Sequence, residues 1–236
     1  MRRTEWSSCV CVVVYQFSSS WRPSSPFPAS MADGPDGPSI RGARLLVRTI
    51  THSIAEVESR VVALGAVRSA SRNRVQCNYF RRNELFLLQT AESPAFHYII
   101  MTSKDNGCTS TRIRLAGPDT APLLKQAQAN AQLLKVSVEG PVYLCGDYVV
   151  RLGQLFFNNT LSGVVVEIEY LPCCLASAAA APLDALADRL LPAGERDFSS
   201  SETECFRDVQ DLPDRFGVEH SALLLVGLMR HRFNIS

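Results

Sequence analysis

The sequence predicts an α+β fold whose core is a many-stranded antiparallel sheet, partly closed into a β-barrel and flanked by helices. Short strand-like segments follow one another from residue 75 to residue 170, mostly separated by short polar turns, and strands joined in this way pair antiparallel. Helical patterns stand at the start, the middle and the end of this region, without the regular alternation of strand and helix that builds a parallel sheet. So many strands would expose long edges in a flat sheet, and closure removes such edges.

The first two predicted elements are a strand and an amphipathic helix. Residues 43–49, ARLLVRT, are predicted to form the strand. Ser53 and Glu56 then form a capping-box pattern, in which the two side chains bind free backbone N–H groups at a helix start. Gly65 stands where a helix end favours a left-handed backbone. One face of the helix collects the apolar side chains Ile54, Val57, Val61, Val62 and Leu64.

Four strands and a second helix are predicted next. The strands cover 75–80, 84–89, 96–102 and 111–115, and the residues between them are typical of turns. The helix is predicted over 118–134. Its apolar side carries Leu123, Leu124, Ala127, Ala131 and Leu134.

The C-terminal half adds four strands and two helices. The strands are predicted over 136–138, 142–152, 155–157 and 163–170, with a tight turn at Asn158-Asn159. The helices are predicted over 183–191 and 219–232, and the Ser- and Glu-rich residues 199–204 between them are predicted to be a solvated loop. No internal boundary follows Ile40, so we predict a single domain over 40–236.

Residues 1–39 are predicted to lie outside that domain. Arg2 and Arg3 precede a short apolar stretch at 9–15 and a Ser/Pro-rich segment at 18–30, a combination that weakly resembles secretory or organelle-targeting signals. Met31 opens a polar segment, MADGPDGPS, as a start codon would. We interpret 1–39 as a disordered leader, or as an upstream extension that precedes the true start at Met31.

Composition excludes several classes of protein. With 46% hydrophobic and 20% charged residues among 236, the chain is neither a disordered nor a fibrous protein. Its formal net charge of +1 argues against direct nucleic-acid binding through phosphates, which requires a cationic excess. No run approaches the roughly 18 to 20 apolar residues of a membrane span. Eight scattered cysteines in a chain of this length favour a reducing compartment.

Basic side chains are concentrated in one segment. The segment carries Arg68, Arg72, Arg74, Arg81 and Arg82. Two interpretations are open: a patch for an acidic partner, or a solvated hairpin, which the near-zero net charge favours. The chain has no Gly-rich phosphate loop after a strand and no spaced set of zinc ligands, so no cofactor and no metal site is predicted.

The most informative segments are VYLCGDYVVRLG at 142–153 and LSGVVVEIEYLP at 161–172. A strand with a Gly-Asp-aromatic element precedes a strand that reads Gly-Val-Val-Val-Glu-Ile-Glu-Tyr-Leu-Pro. This pair resembles subunit 20 of the Mediator complex, the coactivator that links gene-specific activators to RNA polymerase II. The start of the last helix, Glu219-His220-Ser221-Ala222, is similar to that of plant members. The motif positions that match are Asp147, Tyr148, Arg151, Gly153, Gly163, Glu167, Glu169, Tyr170 and Pro172.

The resemblance implies a function in transcription regulation without catalysis. It implies a partly closed barrel flanked by helices, located in the nucleus within the Mediator head module. It also implies a heterodimer with subunit 18, a tether through the C-terminal helix of subunit 8, and a position near the TATA-binding protein. A protein of this kind acts through protein–protein contacts.

The residues alone leave an alternative open at Glu167 and Glu169. These side chains project from one face of their strand, and an antiparallel neighbour brings Arg151 opposite one of them as a cross-strand ion pair. A metal-dependent triphosphatase of the tunnel type also uses a Glu-x-Glu pair, with arginines such as Arg112 and Arg114 around the phosphates. Such a site needs a second Glu-x-Glu on an opposed strand. The other two pairs, Glu56/Glu58 and Glu202/Glu204, lie in a predicted helix and a predicted loop.

Overall fold

The computed structural model describes residues 42–81, 84–105, 108–127, 133–200, 205–206 and 209–233, so the predicted leader at 1–39 lies outside the described residues. The described chain forms nine strands, four α-helices and a 3₁₀ turn at Ala193–Glu195. In chain order the strands and α-helices are β1 Ala43–Thr49, α1 Ile54–Ala63, β2 Val67–Phe80, β3 Leu85–Thr90, β4 His97–Asp105, β5 Cys108–Ala116, α2 Thr120–Ala127, β6 Leu133–Cys145, β7 Tyr148–Phe157, β8 Thr160–Tyr170, α3 Ala176–Leu190, β9 Phe198–Ser199 and α4 Val218–Phe233.

All nine strands belong to one antiparallel sheet in the order β5-β4-β3-β2-β6-β7-β8-β1-β9. The predicted α+β class with an antiparallel sheet is confirmed. In the part of the chain that is described, β5 and β9 are the two ends of the sheet and do not pair with each other. The chain that leaves β9 reaches the opposite end of the sheet at Val209, which forms an isolated bridge with Thr111 of β5.

The sheet is strongly curled. Four strands separate β1 from β3, so a flat sheet would hold these two strands about 24 Å apart. Arg44 of β1 nevertheless lies 3.1 Å from Glu92, which follows β3. The curl therefore creates a concave inner face and a convex outer face, as the predicted barrel-like sheet requires.

Three helices cover the outer face. Tyr143 of β6 donates to the Glu58 carboxylate of α1, and Tyr148 of β7 donates to the Pro182 carbonyl of α3 at 3.4 Å. The apolar side chains of α1 and α3 that the sheet buries are Val57, Val61, Ala179, Leu183, Leu186, Ala187 and Leu190. Helix α2 packs over a separate apolar cluster around Phe80.

Helix α4 lies in the concave face. Ser221 and Leu225 share a cavity there with Arg44 of β1, and Arg230 donates to Thr111 of β5 at 3.2 Å. Helix α4 carries apolar side chains on most of its faces, as expected of a helix that is buried on several sides. The buried set is Ala222, Leu223, Leu224, Leu225, Val226, Leu228 and Met229. None of the described helices is both long and apolar enough to cross a membrane.

Helix α4 also carries a buried histidine. The Gly217 N–H donates to His220 Nδ1 at 3.1 Å, and the rings of Phe216 and Phe206 lie 4.9 and 5.0 Å away. Burial lowers the pKa of His220, and the opposing effects of Glu219 and the Pro213 carbonyl do not restore it. The folded protein therefore holds this imidazole neutral.

Lowering the pH is expected to destabilise the protein through His220. An unfolded histidine titrates near about pH 6.5, so below that value the unfolded state binds a proton that the folded state resists. The contribution is fully present above the unfolded pKa and is lost as the pH falls toward the folded one. Urea unfolding at about pH 7.5 and about pH 5.5 measures it. The stability of His220→Gln should fall less between these values, and an equal fall in both proteins would contradict the assignment.

Most predicted elements are present, but the bounds of the second and third helices differ from the prediction. The predicted helix 118–134 ends at Ala127, residues 128–132 lie outside the described part, and β6 begins at Leu133. Leu133 packs with the cluster around Phe80 while Leu134 packs against the main core, so the two leucines point to opposite faces of a strand. Helix α3 begins at Ala176 rather than 183 and contains Pro182.

The strands of the motif region also differ in their bounds from the prediction. The expected strand 142–152 is split by a two-residue turn, Gly146-Asp147, between Cys145 and Tyr148. Gly146 has φ +58°, which a turn of this type favours. Strand β6 runs back through 136–138 to Leu133, and β7 runs on through 155–157. The turn at Asn158-Asn159, with φ of 45° and 67°, is confirmed.

Strand β2 begins earlier than predicted. It starts at Val67 instead of residue 75, so Arg68, Arg72 and Arg74 lie on a strand, and all three are exposed. Residues 67–68 and 72–74 pair with β6, with a register shift between Arg68 and Arg72, whereas β3 pairs with β2 only from Val75 onward. Few apolar side chains are needed on this exposed extension, which is why periodicity does not reveal it. Arg82 lies outside the described residues.

Candidate functional site: a buried ion network in the curled sheet

The two motif segments form one hairpin. Strands β7 and β8 pair so that Tyr148 faces Tyr170, Arg151 faces Glu167 and Gly153 faces Val165. The Asp147 carbonyl closes the outer end by accepting from the Leu171 N–H at 2.9 Å, just before Pro172. Because side chains alternate along each strand, the hairpin presents an aromatic outer face and a charged inner face.

The aromatic face anchors the hairpin to α3. The rings of Tyr148 and Tyr170 lie 5.0 Å apart, and the Tyr148 hydroxyl reaches the Pro182 carbonyl. Burial is the main reason that the pKa of Tyr148 lies above its ordinary value. Tyr148 is therefore a neutral packing group, and its ring packs against that of Tyr170.

The charged face holds a network of two arginines and three glutamates. Its members are Arg44, Glu92, Arg151, Glu167 and Glu169. Arg44 places Nη1 2.7 Å from Glu167 Oε1, and its Nη2 3.1 Å from both Glu92 Oε1 and Glu169 Oε2. Arg151 Nη2 lies 2.6 Å from Glu169 Oε2 and 2.8 Å from Glu92 Oε1. Each arginine therefore contacts all three carboxylates.

Burial makes this network energetically demanding. The Arg44 side chain is 3% exposed and the Glu169 side chain 4% exposed. Burial alone lowers the pKa of Arg44, but the attraction of Glu167, Glu92 and Glu169 outweighs it, so the pKa is raised above its ordinary value. The guanidinium is held charged, and the buried charges depend on one another for compensation.

Two polar groups of the network lack a hydrogen-bond partner in the described residues. They are Arg44 Nε and Arg151 Nη1, and the latter lies 3.5 Å from Glu167 Oε1. The second carboxylate oxygen of Glu169, Oε1, accepts a hydrogen bond from the Gly42 N–H at 2.9 Å. A cavity of about 330 Å³ borders the network and extends toward Ser221 and Leu225 of α4.

Sequence reasoning identified part of this site. The predicted ion pair between Arg151 and one glutamate is present, and Arg151 contacts both Glu167 and Glu169. Arg44 and Glu92 were missed. Arg44 lies on the same face of β1 as Leu46, so side-chain alternation could have indicated its face. Glu92 lies in a turn, and only the curl of the sheet brings it near Arg44.

The arginines expected to line a phosphate tunnel point elsewhere. Arg112 and Arg114 of β5 are both exposed, and Arg112 donates to Gln210 at 3.0 Å. It is Thr111 that is buried and reaches Arg230 of α4. The Glu56/Glu58 pair lies on α1, outside the curled sheet, and Glu202/Glu204 lies beyond the described residues. The described ranges hold no cluster of three or more side chains suited to bind a metal ion.

Two glycines of the motif are required by close contacts. A Cβ on Gly153 would lie 2.2 Å from Val138 Cγ1 on β6. Gly163 has φ +129°, and a Cβ there would lie 2.6 Å from the Thr49 carbonyl oxygen of β1. At both positions the neighbouring strand therefore leaves no room for a side chain.

The comparisons with known proteins agree with the motif. The model of the family "TATA-binding related factor (TRF) of subunit 20 of Mediator complex" matches residues 48–215. Subunit 20 of Mediator from Anopheles gambiae is 30% identical over 123 residues, which cover 48% of this chain and 55% of that protein. The chain spans about half the length of the curated relatives it matches.

Solved structures give weaker likenesses. A chain of the Schizosaccharomyces pombe Mediator head module has a TM-score of 0.37 and 12% identity, covering 68% of this chain and 100% of that one. A Hippeastrum protein with a described triphosphatase activity also has a TM-score of 0.37, with 8% identity, covering 70% of this chain and 95% of that one. At these scores neither likeness bears on function. The family model matches more than half of the chain, and the chain belongs to the family of Mediator subunit 20.

Proposed function

We propose that this protein is a non-catalytic structural subunit of the Mediator complex, acting in the nucleus as part of the head module. It contributes to the regulation of RNA polymerase II transcription by providing a binding surface for other proteins. Family membership supports the proposal. The observation that carries it is that Glu167 and Glu169 pair with Arg44 and Arg151. These carboxylates therefore serve to stabilise the fold.

The interior of the curled sheet supports the same interpretation. A catalytic tunnel needs open volume in which a substrate meets catalytic groups. Here α4 lies in the concave face with seven buried apolar side chains, and Glu167, which borders the remaining cavity of about 330 Å³, is paired with Arg44 and Arg151. The tunnel-type triphosphatase that uses Glu167/Glu169 is therefore the weaker candidate.

The partners we propose are subunit 18, as a heterodimer, together with subunit 8 and the TATA-binding protein. Exposed apolar side chains on the sheet support a protein-binding role. Val67 of β2 and Leu144 of β6 are cross-strand neighbours and are 68% and 51% exposed. Paired apolar groups that face water on a folded domain are typical of surfaces that another protein covers.

Co-expression with subunit 18 of the same species is the decisive experiment. We expect the two chains to co-elute in size-exclusion chromatography, and this chain to be less soluble when it is expressed alone. Circular dichroism of the chain alone establishes whether it is folded. Separate elution of two folded proteins would contradict the heterodimer.

A phosphate-release assay with ATP and Mn²⁺ tests the enzymatic alternative in the same preparations. We expect no release above that of a buffer blank. Release that disappears in Glu167→Ala, while the unfolding midpoint of that variant stays within the range of the wild type, would replace the scaffold proposal with the triphosphatase.

A further inference from the structure

A second cavity, of about 720 Å³, lies at the end of the curled sheet where β1 ends and β8 begins. The residues that matter for its chemistry are Arg48, Ile50, Leu161, Asp197, His231 and Arg232. Arg44, the β1 member of the ion network, lies four residues before Arg48 on the same strand, toward the other end of β1. The two sites therefore share no charged side chain.

The residues that line this cavity carry more positive than negative charge. Arg48 is 3% exposed, and its Nη1 lies 2.9 Å from Asp197 Oδ2 while its Nη2 donates to the Ser162 carbonyl at 2.9 Å. Its Nε, also buried, has no hydrogen-bond partner within the described chain. Asp197 thus offsets one guanidinium.

Arg232 adds a second positive charge. It lies on the last turn of α4, is exposed, and pairs with no carboxylate of the described residues. Burial lowers the pKa of Arg48 and the nearby Arg232 lowers it further, against the attraction of Asp197. Two arginines with one aspartate leave a positive cavity, which favours an anionic group.

The rim of the same cavity is apolar. Thr49 of β1 pairs with Val164 of β8, so Ile50 and Leu161 emerge from adjacent strands at one edge of the opening. They are 62% and 55% exposed. Two large aliphatic side chains beside a positive cavity suit a ligand that carries an acidic and an apolar group side by side.

We propose that this cavity binds a segment of a partner protein that sets an acidic side chain against Arg48 and Arg232 and an apolar side chain against Ile50 and Leu161. The inference rests on the proposed function in one respect, that the ligand is a protein. The leader of this chain, residues 1–39, is a poorer occupant, because its three arginines offset its three acidic side chains and leave no net negative charge. A free inorganic anion would leave the apolar rim uncovered.

Selection from a random peptide library of about twelve residues tests the inference on the full-length chain. We expect the wild type to enrich peptides in which Asp or Glu lies next to a bulky apolar residue. Fluorescence anisotropy with the enriched peptides should show about tenfold weaker binding to Arg232→Glu and to Leu161→Ser. Replacing the acidic residue of the peptide with its amide should weaken binding to the wild type similarly.

Matched variants separate local from general effects. Arg189→Glu removes an exposed arginine from α3, and Leu123→Ser removes an exposed leucine, 48% exposed, from α2. Both should bind the peptides as the wild type does. Failure to enrich any peptide, enrichment of peptides without acidic residues, or equal losses in the control variants would each overturn the inference.

The outcome is independent of the subunit 18 experiment. Co-elution with subunit 18 together with failed peptide selection would overturn this inference and leave the proposed function standing. Specific peptide binding without co-elution would contradict the heterodimer with subunit 18 and leave this inference standing. Measuring both in Arg232→Glu shows whether subunit 18 itself provides the segment.

Discussion

Replacing Arg44 with methionine is expected to lower the free energy of unfolding by about 3 to 5 kcal/mol. Arg44 contacts Glu92, Glu167 and Glu169 within 3.1 Å, and its side chain is 3% exposed. Methionine fills a similar volume but leaves the buried carboxylates with Arg151 as their remaining network cation. Removing one partner of a buried ion pair is costly because the other charge stays desolvated. Urea unfolding followed by circular dichroism measures the loss.

An exposed ion pair is the matched control for Arg44. Arg74 and Glu139 pair at 3.2 Å with side chains 63% and 53% exposed, so Arg74→Met should cost less than about 1 kcal/mol. If Arg44→Met does not fold, the double variant Arg44→Met/Glu167→Gln should recover soluble protein, since it also removes a buried negative charge. Similar losses at the two arginines would contradict a stabilising role for the network.

Replacing Gly163 with alanine is expected to cost about 2 to 4 kcal/mol, from a positive φ together with overpacking. At φ +129° an L side chain is strained, and its Cβ would lie 2.6 Å from the Thr49 carbonyl oxygen. That oxygen belongs to the neighbouring strand, so β1 and β8 must separate to make room. Thermal unfolding monitored by circular dichroism compares the variants on one scale.

Two other glycines separate the causes of this loss. A Cβ on Gly194 meets no atom within 4 Å, so Gly194→Ala should be nearly neutral. Gly65 is equally open but has φ +80°, so Gly65→Ala should cost about 1 kcal/mol from backbone strain alone. Equal effects of Gly163→Ala and Gly65→Ala would show that the contact with β1 is not limiting.

Local patterns predicted what depends on neighbours in the chain. The capping box of Ser53 and Glu56 is formed, with the Ser53 N–H 2.7 Å from the Glu56 carboxylate, because both partners lie within one helical turn. The Asn158-Asn159 turn is formed because asparagine tolerates positive φ. The pairing of Arg151 with the Glu-x-Glu strand followed from alternation and one tight turn.

Patterns failed where an element depends on distant contacts. The alanine-rich start of α3 has no apolar periodicity, yet Ala179 is fully buried against the sheet. The extension of β2 over 67–74 is polar because one edge and one face meet solvent, so neither strand periodicity nor helix periodicity marks it. Leu133 and Leu134 fit a helical pattern in sequence, but they pair with Phe80 and Tyr79 across β2.

Residue patterns alone predict the fold class and the positions of most strands along the chain, and the segments 142–153 and 161–172 carry the resemblance to the family. The second cation that contacts Glu167 and Glu169, Arg44, and the third carboxylate of the network, Glu92, are revealed only by the tertiary structure. Arg44 and Glu92 lie 48 residues apart in sequence and meet because the sheet curls across four intervening strands. No local sequence preference predicts such a contact. Side-chain alternation determines which face of the sheet a charged residue lies on, but the curvature of the sheet determines which residues it contacts there. The same curvature places α4 inside the sheet and leaves Arg112 and Arg114 on the exposed side of β5.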